Sequence, residues 1–315
     1  MRRLTAALLA PLAVTAALAG CSSSSSQATG STNESVKVSG AEGKSPTVHI
    51  PAQKADSGLV TKTVIQGHGP KITSGDTYLA NFDVYLWRGK TSKLLYSSFT
   101  ATPQVLPVTM GLTGLQKAVT GQRVGSRVLA VLPPKYGYGT RGNSQIGVQP
   151  TDTLVWVVDL MHAFPPGVSA SGQHVSNGGG GVPTVSAGTG GIPQVQVPKS
   201  APPSKLVVKT LIKGTGAPVK AGQSIVARYQ LALWRTGKVI NSNWPSSTQP
   251  TAPPTVFTLG KLIPAWNTGL VGVPVGSRIL MVVPPAEGYG KKGSPQAGIK
   301  GTDTLVFVID VLATT

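Results

Sequence analysis

The chain of 315 residues holds one cysteine, four histidines and only ten acidic residues against 28 basic ones. One Cys excludes an intramolecular disulfide framework and a Cys-based zinc site. The scattered His residues offer no metal-ligand spacing, so neither a metal nor a cofactor is expected. Charged residues make up 12% of the chain and aromatics 5%. That composition lacks the Glu/Lys/Leu-rich periodicity of coiled coils and helical bundles. Beyond the first twenty residues no apolar run approaches the roughly eighteen residues of a spanning helix. Gly (39) and Pro (26) are abundant instead, and they mark turns, strands and linkers.

The N-terminus reads as an address. Met1-Arg2-Arg3 is a positive start, and Leu4 to Ala19 is a short apolar stretch rich in Ala and Leu. Small residues follow at Leu18-Ala19-Gly20-Cys21, then a serine run from Ser22 to Ser26. This is the layout of an export signal. Leu18-Ala19-Gly20-Cys21 resembles a bacterial lipobox, in which the Cys becomes the lipidated first residue. The expectation is a signal peptide at 1–20 and a membrane-anchored lipoprotein of the bacterial cell envelope, on the extracytoplasmic side and held by Cys21. The full chain carries +18, and without Arg2 and Arg3 it carries +16; that charge is then a solvated surface facing an anionic envelope, and nucleic acid is not an expected partner. Residues 21–45, rich in Ser, Thr, Gly and charge, read as a flexible tether. Residues 165–203, with Gly178-Gly179-Gly180-Gly181, read as a Gly/Pro/Ser-rich linker.

The spans between, 46–164 and 204–315, repeat each other. Val124-Gly125-Ser126-Arg127 recurs as Val275-Gly276-Ser277-Arg278, and Gly137-Tyr138-Gly139 as Gly288-Tyr289-Gly290. Thr151-Asp152-Thr153-Leu154 recurs as Thr302-Asp303-Thr304-Leu305. A constant offset over two copies indicates a duplicated domain rather than a solenoid. Each copy reads as mainly β. Short Val/Ile/Leu-rich strands are expected at 224–234, 278–283 and 304–311, with one short helix at 264–271 opened by Pro264. The fold class is α+β: an antiparallel curved sheet wrapped around one short α-helix, twice in tandem.

Further residues carry a resemblance. The second copy runs through Gly214-Thr215-Gly216, Arg228-Tyr229, Phe257-Thr258-Leu259-Gly260, Ile263-Pro264-Ala265-Trp266, Pro284-Pro285, Gly288-Tyr289-Gly290 and Leu305-Val306-Phe307. That ordered series resembles the FKBP-type peptidyl-prolyl cis-trans isomerases. The resemblance implies a pocket between sheet and helix, with Trp266 as its floor and Tyr229, Leu262, Ile263, Ile299 and Phe307 as walls. It implies that Tyr289 donates a hydrogen bond to a substrate carbonyl, and that Ile240, Asn241 and Phe257 complete the binding surface. Tyr229, Trp266, Tyr289 and Phe307 are the residues expected to act on the amide. The family usually has Phe-Asp where Ile240-Asn241 stands. In the first copy the matching positions are Phe82, Leu95, Leu115, Tyr138, Val148 and Trp156, with Leu115 replacing the aromatic floor. That copy reads as either a weak isomerase or a non-catalytic binding domain.

The expected activity is isomerisation of X–Pro bonds in unfolded or Pro-containing exported polypeptides, by a monomer. The alternative is a non-catalytic chaperone or adaptor for such segments. Asp152, Asp159, Asp303 and Asp310 are expected to cap or pair locally at strand ends, and Trp87, Trp234 and Trp244 to pack in core or edge positions.

Overall fold

The computed structural model describes residues 31–109, 111–249 and 251–315. The expected signal peptide, Cys21 and the first part of the expected tether lie outside the described residues. The first half contains β1 (Lys37–Ser39), β2 (Thr47–His49), β3 (Val60–Ile65), β4 (Thr77–Arg88), β5 (Thr91–Ser97), β6 (Gln104–Pro107), α1 (Thr113–Val119), β7 (Arg127–Leu132) and β8 (Thr153–Phe164). The second contains β9 (Gln173–His174), β10 (Thr184–Ala187), β11 (Pro193–Gln196), β12 (Val207–Lys213), β13 (Ser224–Leu233), β14 (Val239–Ser242), β15 (Thr255–Thr258), α2 (Pro264–Leu270), β16 (Arg278–Val283) and β17 (Leu305–Thr314).

The main sheets are antiparallel. One runs β3-β7-β8-β4-β5, with β6 also on β4; the other runs β14-β13-β17-β16-β12-β9, with β15 also on β13. A long strand, β4 or β13, therefore carries two short partners in succession along one edge. Opposite Leu79/Ala80 and Val226/Ala227 the partner strand carries one extra residue, Met161 in β8 and Leu312 in β17, a bulge in each sheet. Bulges bend a strand and increase its twist, which lets each sheet curl over its helix. The helices contribute Leu115, Ala118 and Val119, or Ala265, Trp266 and Leu270, to the core beneath. Pro264 opens α2, where its missing N–H is no loss. At Gly214 a side chain would collide with the Val275 carbonyl oxygen, so a close crossing of loops demands glycine there.

The strands are apolar on both faces. In β16, Ile279, Met281 and Val283 face the helix, while Leu280 and Val282 face outward and are equally buried. In β7, Val128, Ala130 and Leu132 point in, while Leu129 and Val131 point out. Near-continuous hydrophobic strands require a cover on each side. The outer cover of the second sheet comes from residues 165–203, the segment read as a Gly/Pro/Ser-rich linker. Here β10 pairs with β11, Val182 and Val185 are buried with Val195 and Val197 beside them against Leu280 and Val306, and β9 extends the sheet along β12. The described part of the expected tether, together with the start of the first domain span, does the same for the first sheet: β1 pairs with β2, and Val36, Val38 and Val48 pack on Trp87, Leu129 and Val155. The physical reason for both covers is that widely spaced valines in a Gly/Ser/Pro background suffice to seal an outer face that would otherwise meet water.

Each cover is latched in matching ways. Trp87 Nε1 donates to the Gln53 carbonyl and Trp234 Nε1 to that of Ser200. Arg127 forms a bidentate pair with Asp159 and donates to the carbonyls of Gly40 and Lys44, while Gly43 N–H donates to Asp159. Arg278 pairs in the same way with Asp310, which accepts from Ala170 N–H. The two domains touch through Leu79, Phe164, Val226 and Ala313, all buried in one small cluster.

Candidate functional site

In the second domain, β13 brings Tyr229 to the inner face and β17 brings Phe307. β15 brings Phe257 and the first turn of α2 brings Trp266. The four rings meet in one cluster. Phe257 and Trp266 have centroids 4.9 Å apart. Trp266 stands edge-on to Phe307 at 5.7 Å and to Tyr229 at 6.1 Å, and Tyr229 to Phe257 at 5.5 Å. Edge-to-face pairs at such separations are favourable beyond their burial. The rings floor a cavity of about 520 Å³ whose lining includes Tyr229, Ile240, Asn241, Phe257, Leu262, Ile263, Trp266, Tyr289, Ile299 and Phe307. All ten residues expected for this site thus line one cavity. Leu231, Ser294, Gln296 and Ala297 line it as well and were not foreseen.

Burial separates floor from rim. Trp266 is 4% exposed, whereas Tyr289 and Ile240 are exposed. Tyr289 sits between two tight turns, Pro285–Glu287 and Gly290–Lys292. Ile299 is fixed by a pair of backbone bonds with Ser294 (2.8 and 3.0 Å). Gly293 has a positive φ of 62° in this loop, and a side chain there would strike the Ile299 carbonyl.

The Tyr229 hydroxyl donates to Asn241 Oδ1 at 2.8 Å. Asn241 thus accepts through its amide oxygen without bringing a charge. Burial, and secondarily the nearby Tyr289, push the Tyr229 phenol above its usual range, so it stays protonated at neutral pH. Asn243, next in the chain but one, accepts from Tyr229 N–H and donates to the Ala227 carbonyl. No carboxylate lines the cavity. Among the described residues no group of three His, Cys, Asp or Glu could hold a metal ion. No helix there is long and apolar enough to cross a membrane.

The first domain places its counterparts differently. Its cavity of about 470 Å³ is lined by Phe82, Leu95, Tyr138 and Trp156, together with Lys93, Leu94, Tyr96 and Ile146 among others. Leu115 and Val148, expected in this pocket, are instead buried in the core and do not line it. Leu115 is too short to project from the helix as Trp266 does, and Leu106 stands opposite Tyr78 where Phe257 stands opposite Ile225. Phe82 packs on Trp156 at 5.1 Å and on Tyr96 at 5.5 Å. A ring contact therefore replaces the Tyr229–Asn241 hydrogen bond. The connection before β6 is also shorter, residues 98–103 against 243–254 in the second domain.

The expected local pairing of the aspartates appears as Arg88–Asp152, Arg127–Asp159, Arg235–Asp303 and Arg278–Asp310. Trp87 and Trp234 pack as described. Trp244 is buried with the guanidinium carbons of Arg228 and Arg278 each 5.5 Å from its ring.

This architecture, two copies of a curled antiparallel sheet on a short helix, is that of a known class. The family model for FKBP-type peptidyl-prolyl cis-trans isomerase matches residues 69–161 and 216–312. The chain belongs to that family of enzymes, with two FKBP domains in tandem. It is 32% identical over 118 residues to an FK506-binding protein of Streptomyces anulatus, covering 37% of this chain and 91% of that one. It is likewise 32% identical over 107 residues to the FKBP-type peptidyl-prolyl cis-trans isomerase FkpA of Escherichia coli, covering 34% and 37%. Among solved structures, the three FKBP domains of wheat FKBP73 align over 82% of this chain and 96% of that one, at 18% identity and a TM-score of 0.33. FkpA from Escherichia coli aligns over 36% and 51%, at 27% identity and a TM-score of 0.32.

Proposed function

We propose that the second domain is the active isomerase and that its aromatic cavity is where the X–Pro amide rotates. The observation that carries this is the cluster of Tyr229, Phe257, Trp266 and Phe307 around one cavity, with Tyr289 at the rim. Rotation about a peptide bond is opposed by about 18–20 kcal/mol because resonance is lost. The twisted amide has less charge separation than the planar one, so a water-poor aromatic hollow favours the twisted form relative to both ground states. No acid, base or nucleophile is required. The proline ring would rest on Trp266, and the exposed Tyr289 hydroxyl would hold a neighbouring carbonyl of the substrate as the chain turns.

The substrates would be unfolded, Pro-containing exported polypeptides at the cell envelope, with lipidated Cys21 as the anchor and the protein acting as a monomer. The motivating observations are the lipobox-like Leu18-Ala19-Gly20-Cys21 and the export-signal layout before it. Mass spectrometry of the membrane fraction would show a diacylglyceryl adduct on Cys21; an unmodified, soluble chain would refute the anchor. For the activity, the full chain should accelerate cis-trans exchange of a Leu-Pro peptide. No acceleration by a chain with native circular dichroism would remove the reading.

The first domain supports a second role. Its cavity exposes Leu94 and Tyr96 and receives no aromatic ring from the helix, Leu115 standing where Trp266 does, which suits holding apolar client segments without turning them over. Suppression of client aggregation that persists in a Trp266→Leu chain would bear this out.

A further inference from the structure

The second half of the molecule is nearly devoid of surface carboxylates. Residues 165–315 contain thirteen Lys and Arg but only Glu287, Asp303 and Asp310 as acids. Asp303 is paired with Arg235, and Asp310 is buried against Arg278. Four lysines adjoin residues that line the aromatic cavity. Lys261 immediately precedes Leu262, and Lys238 lies two residues before Ile240. Lys291 and Lys292 fall between Tyr289 and Ser294. All four are exposed, and none takes part in an ion pair among the described residues. Lys300, next to Ile299, is different because it faces Asp303. The half-buried Glu287, two residues before Tyr289, is the one acid that opposes the four. The cavity itself carries no charge, position 241 being an amide. The first domain follows the same trend, since exposed Lys93 lines its cavity.

We infer that the mouth of the second pocket selects polypeptides with acidic residues flanking the proline. This rests on the proposed site of isomerisation and names its substrate class. An amide centred in the cavity sends its chain out over the rim in both directions, past the loops that carry these lysines. Carboxylates two residues from the proline there meet positive charge uncompensated except by Glu287. A basic flank meets repulsion, and the neutral cavity adds no discrimination of its own. Exposed charges of this kind act mainly on encounter and selectivity, and salt screens them.

The test uses the full chain and three fluorescently labelled peptides, Xaa-Leu-Pro-Phe-Xaa with Xaa as Glu, Gln or Lys. Both kcat/KM for isomerisation and binding by anisotropy are measured. The expected order is Glu over Gln over Lys, with Glu about tenfold above Lys at low salt and the ratio near one at 1 M salt, where the screening length falls to about 3 Å. A quadruple variant, Lys238→Gln, Lys261→Gln, Lys291→Gln and Lys292→Gln, should bring the Glu/Lys ratio to within about twofold of one. A charge-matched control, Lys199→Gln, Lys205→Gln, Lys213→Gln and Lys220→Gln, should retain most of the preference, which separates the pocket rim from the overall charge. Equal binding of the three peptides, or equal loss in the two variants, overturns the inference. So does an unselective chain whose rim variant alone loses binding to vesicles of anionic lipid, because the lysines then serve a membrane surface. Absence of turnover with the binding order intact would instead overturn only the placement of catalysis.

Discussion

The two FKBP domains share a framework and differ in what they place at its centre. Both seal the outer sheet face with a hairpin, clasp the cover with a tryptophan N–H, and bury a bidentate Arg–Asp pair. Across the inner face, Trp266, Phe257 and the Tyr229–Asn241 pair become Leu115, Leu106 and the Phe82–Tyr96 ring contact. The lesson is that the scaffold tolerates loss of the aromatic floor, because the core beneath is held by aliphatic residues common to both copies. A pocket can therefore change its task without the domain changing its fold.

The comparison can be broken first at what the domains share. Asp310→Ala or Asp159→Ala leaves a guanidinium buried without its partner, and each should destabilise by about 3–5 kcal/mol. Chemical denaturation of both variants would check this, and a large cost in only one domain would show that the latches are not equivalent. At what the domains do not share, Trp266→Leu copies the first domain's choice into the second. It should lower kcat/KM about thirtyfold, or about 2 kcal/mol of transition-state stabilisation. Tyr229→Phe copies the Phe82 position and removes the hydrogen bond to Asn241. A loss of about three- to tenfold in kcat/KM is expected, consistent with one hydrogen bond of about 1 kcal/mol. An unchanged rate would show that the phenol only fills space.

Two smaller effects concern pH and stability. In the first domain Asp83 is buried with Oδ1 unpartnered, and burial raises its pKa, whereas the second domain has Gln230 at that register. A carboxyl raised in the folded state destabilises once pH exceeds its unfolded value, so Asp83→Asn should raise the Tm by about 2–4 °C at pH 7. The gain should vanish at pH 3, where both states are protonated. Asp152 and Asp303 shift the other way. The Arg88 guanidinium draws Asp152 down, and Asp303 is held low by Arg235 and by Lys300 N–H although burial opposes them. Their stabilising contribution is present above about pH 4 and lost as pH falls through their depressed values. A thermal melt series from pH 5 to pH 2 should show it, with Asp152→Asn and Asp303→Asn giving flatter profiles.

Much of this was legible in the sequence because the constant offset and the ordered motifs tie residues to register. Strands at 278–283 and the helix opened by Pro264 follow from residue pattern, and the ten residues around the second cavity from the resemblance to the FKBP family. Three things did not follow. The covering hairpins were hidden because Val182, Val185 and Val195 stand isolated among Gly, Ser and Pro, giving no periodicity, although the two-faced apolar runs of β16 and β17 already demanded a cover. Leu115 and Val148 were carried over by register alone, which fixes where a Cβ points but not whether a short side chain reaches a cavity. Ser294, Gln296 and Ala297 line the second cavity from tight turns, where no hydrophobic pattern marks them.

The central claim is that the indole floor of the second domain carries the isomerisation. The most direct measurement is kcat/KM for a Leu-Pro peptide with the full chain, Trp266→Leu and Trp156→Leu, each verified as folded. The account predicts a fall of about thirtyfold for Trp266→Leu and less than about threefold for Trp156→Leu. A full rate in Trp266→Leu, or the larger loss in Trp156→Leu, would contradict it.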